Sequence, residues 1–329
     1  MNLTLVAVGI GGVLDALWGD PLSRAHPVVW IGKLIAALEQ LVRRVFPDTP
    51  AGQKLGGGGL WLMVVLVSTA LPAGILWLCR MVSPWLALVV ESVMCWQVLA
   101  LKCLCQEATR VERALTEEPL EGAQRAVARI VGRETHRLDA AGVTRAAVET
   151  VAENVSDGVI APLIFLVLGG APLGFCYKAI NTMDSMLGYV DPPYRDIGLV
   201  PARMDDLANW IPSRFSALMM LAAGAMLGMD FRRGWKIFRR DRFCHASPNS
   251  AQTESACAGL LGVQLGGSAW YHGVRHEKPV IGDALRAIEP GDISRTCRLA
   301  KAASLLALVV LVLMRLGWNF LRGGGGVVI

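Results

Sequence analysis

Apolar residues in this chain come in blocks rather than at the spacing of a soluble amphipathic core. The blocks are 3–18, 60–78, 85–101, 159–176, 215–229 and 299–320. A helix needs about 20 apolar residues to cross a bilayer, and 60–78 and 85–101 meet that length most clearly. Ser83-Pro84 between them predicts a tight turn and therefore a helical hairpin. Block 159–176 is interrupted by Gly169-Gly170-Ala171-Pro172, which predicts a broken helix, and 215–229 is short for a full crossing. The pattern predicts an all-α, polytopic integral membrane protein. It reads as a single membrane-embedded domain over 1–329, a helical bundle with cytoplasmic helical loops and re-entrant or broken helices.

Between the blocks the spacing turns amphipathic. A helix is predicted from about Val28 to Val45, and 102–157 reads as an aqueous helical insertion. There Leu104, Ala108, Val111 and Leu115 form one stripe, and Pro119 ends it. Ala123, Ala126, Val127, Ile130 and Val131 begin another, and a third helix starts near Val143. The glycine run 56–59 reads as a flexible hinge. The small-residue segment 256–267 reads as a close-packed or re-entrant helix.

Composition agrees with that class. Hydrophobic residues make up 53% and charged residues 18%, below the roughly 25% charged of soluble domains. The net charge of +5 asks for nothing beyond loop cations near anionic lipid, and no nucleic-acid partner is expected. Lysine and arginine crowd 19–59, 102–157 and 230–301, which the positive-inside rule places in the cytoplasm. The eight cysteines show no paired spacing and are expected to be reduced. The first block has no basic residue before it and no small-residue cleavage site after it, so it reads as a retained segment.

The polar stretches carry the candidate chemistry. Segment 177–189 holds Lys178, Asn181, Asp184, two tyrosines and hydroxyl residues beside an apolar block, and each buried polar group must find a partner. Glu91 inside a span is likewise expected to face protein or water. Glu149, Glu153 and Asp157 recur every four residues, which on a helix places three carboxylates on one face. A solvated acidic stripe is the plain alternative. Arg203, Asp205 and Asp206 form a further cluster. Carboxylates with arginine and lysine suit a magnesium–phosphate site. There is no phosphate-binding GxxxxGK[ST] loop. His272 and His276 lack a metalloprotease context and read as packing or surface residues, and Ser185 and Ser247 lack a nucleophile elbow. If 159–176 and 215–229 both cross fully, 177–214 lies outside; if they are re-entrant or broken, all the polar stretches can meet on the cytoplasmic side. These residues say membrane enzyme or transporter with an anionic ligand, and do not name the reaction.

The ordered motifs resemble the CobD/CbiB family of cobalamin biosynthesis. They are Gly19-Asp20-Pro21 with His26-Pro27-Val28; Glu149, Glu153, Asn154, Asp157-Gly158 and Ala161-Pro162-Leu163; Tyr177-Lys178-Ala179 with Asn181-Thr182 and Asp184-Ser185-Met186; Ala202-Arg203-Met204-Asp205-Asp206; and Ser247-Pro248-Asn249 with Leu265-Gly266-Gly267. Gly132-Arg133-Glu134-Thr135 departs from the family's Gly-Arg-Asp-Thr and puts a ligand role for Glu134 in doubt.

The resemblance implies an adenosylcobinamide-phosphate synthase of the inner membrane with its active site facing the cytoplasm. Such an enzyme joins (R)-1-aminopropan-2-ol or its O-phosphate to the free propionate of adenosylcobyric acid, using ATP and magnesium. On that basis Glu149, Glu153, Asp157, Asp184, Asp205 and Asp206 are expected to hold magnesium, and Lys178, Arg133 and Arg203 the phosphates. Asn154 and Asn181, with Ser247 and Asn249, are expected to orient oxygens, and His26 or His245 to accept the amine proton. A corrinoid transporter or a scaffold for late pathway enzymes is the alternative, and a homo-oligomer is left open.

Overall fold

A computed structural model describes residues 3–19, 26–189, 192–271 and 273–322. Asp20, Pro21 and His272 lie outside them. In chain order the helices are α1 (Leu3–Trp18), α2 (Pro27–Val45), α3 (Pro50–Val82), α4 (Pro84–Val98), α5 (Leu101–Glu117), α6 (Leu120–Val127) and α7 (Ala140–Val155). A π-turn (Ser156–Ile160) leads into α8 (Ala161–Leu187), followed by α9 (Leu199–Ala208), α10 (Trp210–Met226), α11 (Phe231–Asp241) and α12 (Ser250–Leu261). Four short strands follow, β1 (Leu265–Gly266), β2 (Ala269–Tyr271), β3 (Val274–His276) and β4 (Val280–Ile281), and then α13 (Gly291–Arg322).

Local sequence explains where several helices begin. Thr49 Oγ1 accepts from Gly52 N at 3.2 Å before Pro50, and Ser83 Oγ accepts from Trp85 N at 3.2 Å before Pro84. In both cases a hydroxyl caps an orphan amide and proline sets the first helical φ without needing a donor. Asp139 does the same for α7, accepting from Gly142 N at 2.7 Å. The Ser83-Pro84 hairpin is therefore as expected.

Contacts sort the chain into two compact units, 1–100 with 161–209 and 311–329, and 101–160 with 210–310. In the first, α1 packs on α4, and α3 on α2, α4 and α8. In the second, α12 lies between α10 and α11, and α5 packs on α6 and α7. Every residue of α12 is buried. Its end is closed by Arg233, which donates to Gly259 O at 2.7 Å and Leu260 O at 3.1 Å, satisfying carbonyls a helix end leaves unpaired.

Helices long and apolar enough to span a membrane are Pro50–Val82, Pro84–Glu117, Ala140–Leu187 and Gly291–Leu321. The outer face of α3 exposes Leu62, Met63, Leu66, Leu71, Trp77 and Leu78, a surface that lipid covers at no cost and water does not. The protein is an all-α polytopic membrane protein.

Several expectations change. Residues 56–59 are not a hinge but lie inside α3, because Gly57 sits so close to Ile197 O that no side chain fits. The glycines there serve close packing, not flexibility. The helical backbone is interrupted after Val98, where Leu99 adopts an extended conformation before α5. The small-residue helix ends at Leu261, where Gly262 takes φ 70°. Residues 265–281 then form two antiparallel pairs, β1 with β4 and β2 with β3, registered at Leu265↔Ile281 and Trp270↔Arg275. The break expected at 169–172 is present, with non-helical backbone at Gly169 and Gly170. α10 has 17 residues, the short end of what a crossing takes.

Candidate functional site

The second unit encloses a polar cavity of about 290 Å³. α7 contributes Glu149, Glu153 and Asn154, the loop before it Arg133, the loop before α12 His245, and α12 itself Glu254. Tyr271 on β2, Lys278 between β3 and β4, and Gly266 and Gly267 close it. Of the residues singled out in the sequence, the cavity unites Arg133, Glu149, Glu153, Asn154 and His245.

Glu149 is held from two sides. The guanidinium of Arg133 hydrogen-bonds its Oε2, and Gly266 N donates to Oε1 at 2.7 Å. Burial works against the Arg133 charge, but the Glu149 carboxylate overrides it and holds the guanidinium above its ordinary pKa. Ser250 Oγ donates to Glu153 Oε1 at 2.7 Å, and Asn154 Nδ2 donates to Thr150 O at 3.0 Å. Lys278 Nζ donates to Tyr271 Oη at 2.8 Å and lies 5.0 Å from that ring's centre.

Glu254 and Lys278 were not assigned from sequence. Glu254 stands alone on a small-residue helix and Lys278 alone in a turn, so neither belongs to a spaced motif. Burial, with Glu153 and Glu149 beside it, pushes the Glu254 carboxyl well above the usual carboxylate range, while Arg133 and Lys278 oppose the shift. Its protonated form therefore stabilises the fold below the unfolded pKa, and that contribution is lost as pH rises through the raised folded value. Glu254→Gln is expected to keep the neutral shape at all pH. Thermal unfolding in detergent from pH 5 to pH 9 is predicted to show wild type losing stability relative to the variant toward the alkaline end.

Burial, helped by Lys278, lowers the pKa of His245 against the pull of Glu153 and Glu149. Its Nδ1 accepts from Ser247 N at 3.0 Å, so the neutral ring carries its proton on Nε2 and offers a donor there. His26 is engaged likewise, its Nδ1 accepting from Val28 N at 3.3 Å as the cap of α2. Both rings thus use Nδ1 to accept a backbone N–H.

The expected carboxylate face is cut short. The π-turn begins at Ser156, so the four-residue period that joins Glu149 to Glu153 does not carry on to Asp157, which is absent from the cavity lining. Among the described residues no group of three or more histidine, cysteine, aspartate and glutamate side chains is placed to hold a metal ion.

Ser247 and Asn249 build the turn before α12. Ser247 Oγ accepts from Asn249 N at 3.2 Å, and Asn249 Oδ1 accepts from Ser213 Oγ at 3.1 Å and from Arg214 at 3.2 Å. Glu134 holds the β2–β3 turn, accepting from Gly273 N at 2.5 Å. His276 sits exposed on β3, a strand, so helical i,i+4 reasoning does not apply to it.

The other assigned residues belong to the first unit. Tyr177 Oη donates to Asn209 Oδ1 at 2.7 Å, Asn209 Nδ2 donates to Asp205 Oδ2 at 3.0 Å, and Asn181 Nδ2 donates to Asp205 Oδ1 at 3.4 Å. This buried network ties α8 to α9 and gives Asn181 and Asp205 an architectural task. Thr182 and Ser185 donate to carbonyls one turn back, at 2.7 Å and 2.9 Å. Arg203 and Asp206 form an exposed pair at 4.0 Å. Lys178 and Asp184 stand on the same half of α8. Glu91, as expected, turns inward, its carboxylate 3.6 Å from Arg80.

Residues 8–300 match the family described as CobD/Cbib protein. The chain is 47% identical over 314 residues to the cobalamin biosynthesis protein CobD of Photorhabdus laumondii, covering 95% of this chain and 98% of the relative. It is 47% identical over 318 residues to cobalamin biosynthesis protein CbiB of Salmonella typhi, covering 96% and 98%. To the CobD of Citrobacter koseri it is 48% identical over 313 residues, covering 95% and 98%. No solved structure matches it.

Proposed function

The chain belongs to the CobD/CbiB family and has a role in cobalamin biosynthesis, and from that premise we propose that it is an ATP-dependent amide ligase. It joins (R)-1-aminopropan-2-ol or its O-phosphate to the free propionate of adenosylcobyric acid, at the cytoplasmic side of the inner membrane. A carboxylate is a poor acyl donor. Transfer of the terminal phosphoryl group of ATP to the propionate gives an acyl phosphate and ADP. The amine nitrogen then attacks the carbonyl carbon, phosphate leaves with the C–O bond electrons, and the nitrogen sheds its proton.

The observation that carries this reading is the mixed-charge cavity of the second unit. At about 290 Å³ it suits a small amine or a phosphate end. Lys278 and the Nε2–H of His245 supply donors to anionic oxygens, which low local polarity makes strong. Glu153 supplies a counter-charge for an ammonium group and is placed to take the amine's proton. Arg133 keeps Glu149 in place and Asn154 orients an oxygen. Magnesium enters as the companion of the ATP phosphates, and no step here rests on a resident ion.

Lys278→Met is expected to lower ligation by about 10²–10³-fold, the range for removing one preorganised donor to developing charge. Unfolding temperature should stay near that of wild type, because Tyr271 keeps access to water. Rates of amide formation by purified protein with ATP, corrinoid and amine check this, and wild-type turnover would remove Lys278 from the site.

A further inference from the structure

We propose that the outward face of α11 binds anionic phospholipid, the helix lying in the headgroup layer of the bilayer. The inner face of α11 is settled: Gly234, Ile237, Phe238 and Asp241 are buried, against α12 and α10. Two of its arginines also have internal work. Arg233 closes α12, and Arg240 binds Asp241 and Asp283, the latter at 2.8 Å.

Arg232, Lys236 and Arg239 differ. They follow one another at i, i+4 and i+7, so they share a strip of the helix, and all three are exposed. Among the described residues none of them makes an ion pair or hydrogen bond. Like charges at this spacing repel, which favours an anionic layer against the strip. Beside it, Phe231 and Trp235 stack at 6.5 Å with planes 10° apart, and both are exposed. Just before the helix, Met226 at the end of α10 and Leu227 after it are both exposed.

A strip of cations flanked by aromatic and aliphatic side chains is the chemistry of the membrane interface, with rings at headgroup depth and cations on phosphates. A soluble anion such as a nucleotide would use the cations but give the aliphatic edge no reason to be exposed. An acidic protein would leave that edge equally unexplained.

The test uses full-length protein stripped of lipid in detergent and follows unfolding temperature as phosphatidylglycerol, phosphatidylcholine or inorganic phosphate is added. Phosphatidylglycerol alone is expected to raise it. In the triple variant Arg232→Gln, Lys236→Gln, Arg239→Gln the apparent affinity for phosphatidylglycerol should fall by about 100-fold, each cation contributing roughly fivefold. An equal rise with phosphatidylcholine or with inorganic phosphate overturns the proposal, as does a triple variant that keeps the full response. Should that variant misfold, Trp235→Phe serves. Quenching by bromine-labelled phosphatidylglycerol is expected to be smaller in it than in wild type, and equal quenching overturns the proposal.

Discussion

Arg133→Met is expected to cost about 3–5 kcal/mol of stability, the range for stripping one partner from a buried ion pair. The Glu149 carboxylate would remain buried beside Glu153 and Glu254, keeping only the amide of Gly266. The second unit then unfolds locally or rearranges around the orphaned carboxylate, and both outcomes disable the cavity. Amide formation should fall below detection, and unfolding temperature in detergent should drop by many degrees. The double variant Arg133→Met, Glu149→Gln removes the orphaned charge. It is expected to recover most of the lost stability and little of the activity. Recovery of activity along with stability would mean that Arg133 and Glu149 only hold the fold.

Gly170→Ala is the second substitution of large effect. Gly170 has φ 68° and ψ −164°, a region open essentially to glycine alone, which costs an ordinary residue about 1–3 kcal/mol. An added methyl group would also strike the Glu91 carboxylate and come within 3.1 Å of Thr4 Cγ2. Glu91 is buried and paired with Arg80, so it yields poorly. Summed with that clash, the cost is expected to reach roughly 3 kcal/mol or more. The measurement is the yield of monodisperse protein in detergent and its unfolding temperature. An unchanged unfolding temperature would show that the break in α8 tolerates a side chain and is not fixed by Gly170.

Much of the architecture was legible because its signals are long. The Ser83-Pro84 turn and the Gly169-Gly170-Ala171-Pro172 interruption each map onto an observed boundary. What failed is what tertiary contact decides. The 56–59 glycines look like a linker in composition, but the approach of Ile197 to Gly57 makes them a packing surface. Leu99 and Ala100 are as apolar as the helix they end, so no pattern marks that break. The four-residue carboxylate period was read correctly as far as Glu153, and the π-turn, which has no sequence signature, removed Asp157 from it.

The candidate site divides in the same way. Glu149 and Glu153 were visible from their four-residue spacing, and Arg133 from a motif that resembles the family's. Glu254 and Lys278 reach the same cavity from isolated positions that only the fold brings in. In 177–189 the need for partners was read correctly, and the partners turned out to be Asn209 and Asp205, within a network that secures α9. Polar residues in a membrane protein therefore sort into those that hold helices together and those left facing a cavity.

Whether this protein forms an amide bond is the question on which the account rests. The most direct measurement incubates purified protein in detergent with adenosylcobyric acid, the aminopropanol or its phosphate ester, ATP and magnesium, and analyses the corrinoid by mass spectrometry. The account predicts a product heavier by the amine less one water, formed with stoichiometric release of ADP and phosphate and absent without ATP. Unchanged corrinoid in that mixture, together with corrinoid movement across sealed vesicles containing the protein, would contradict it.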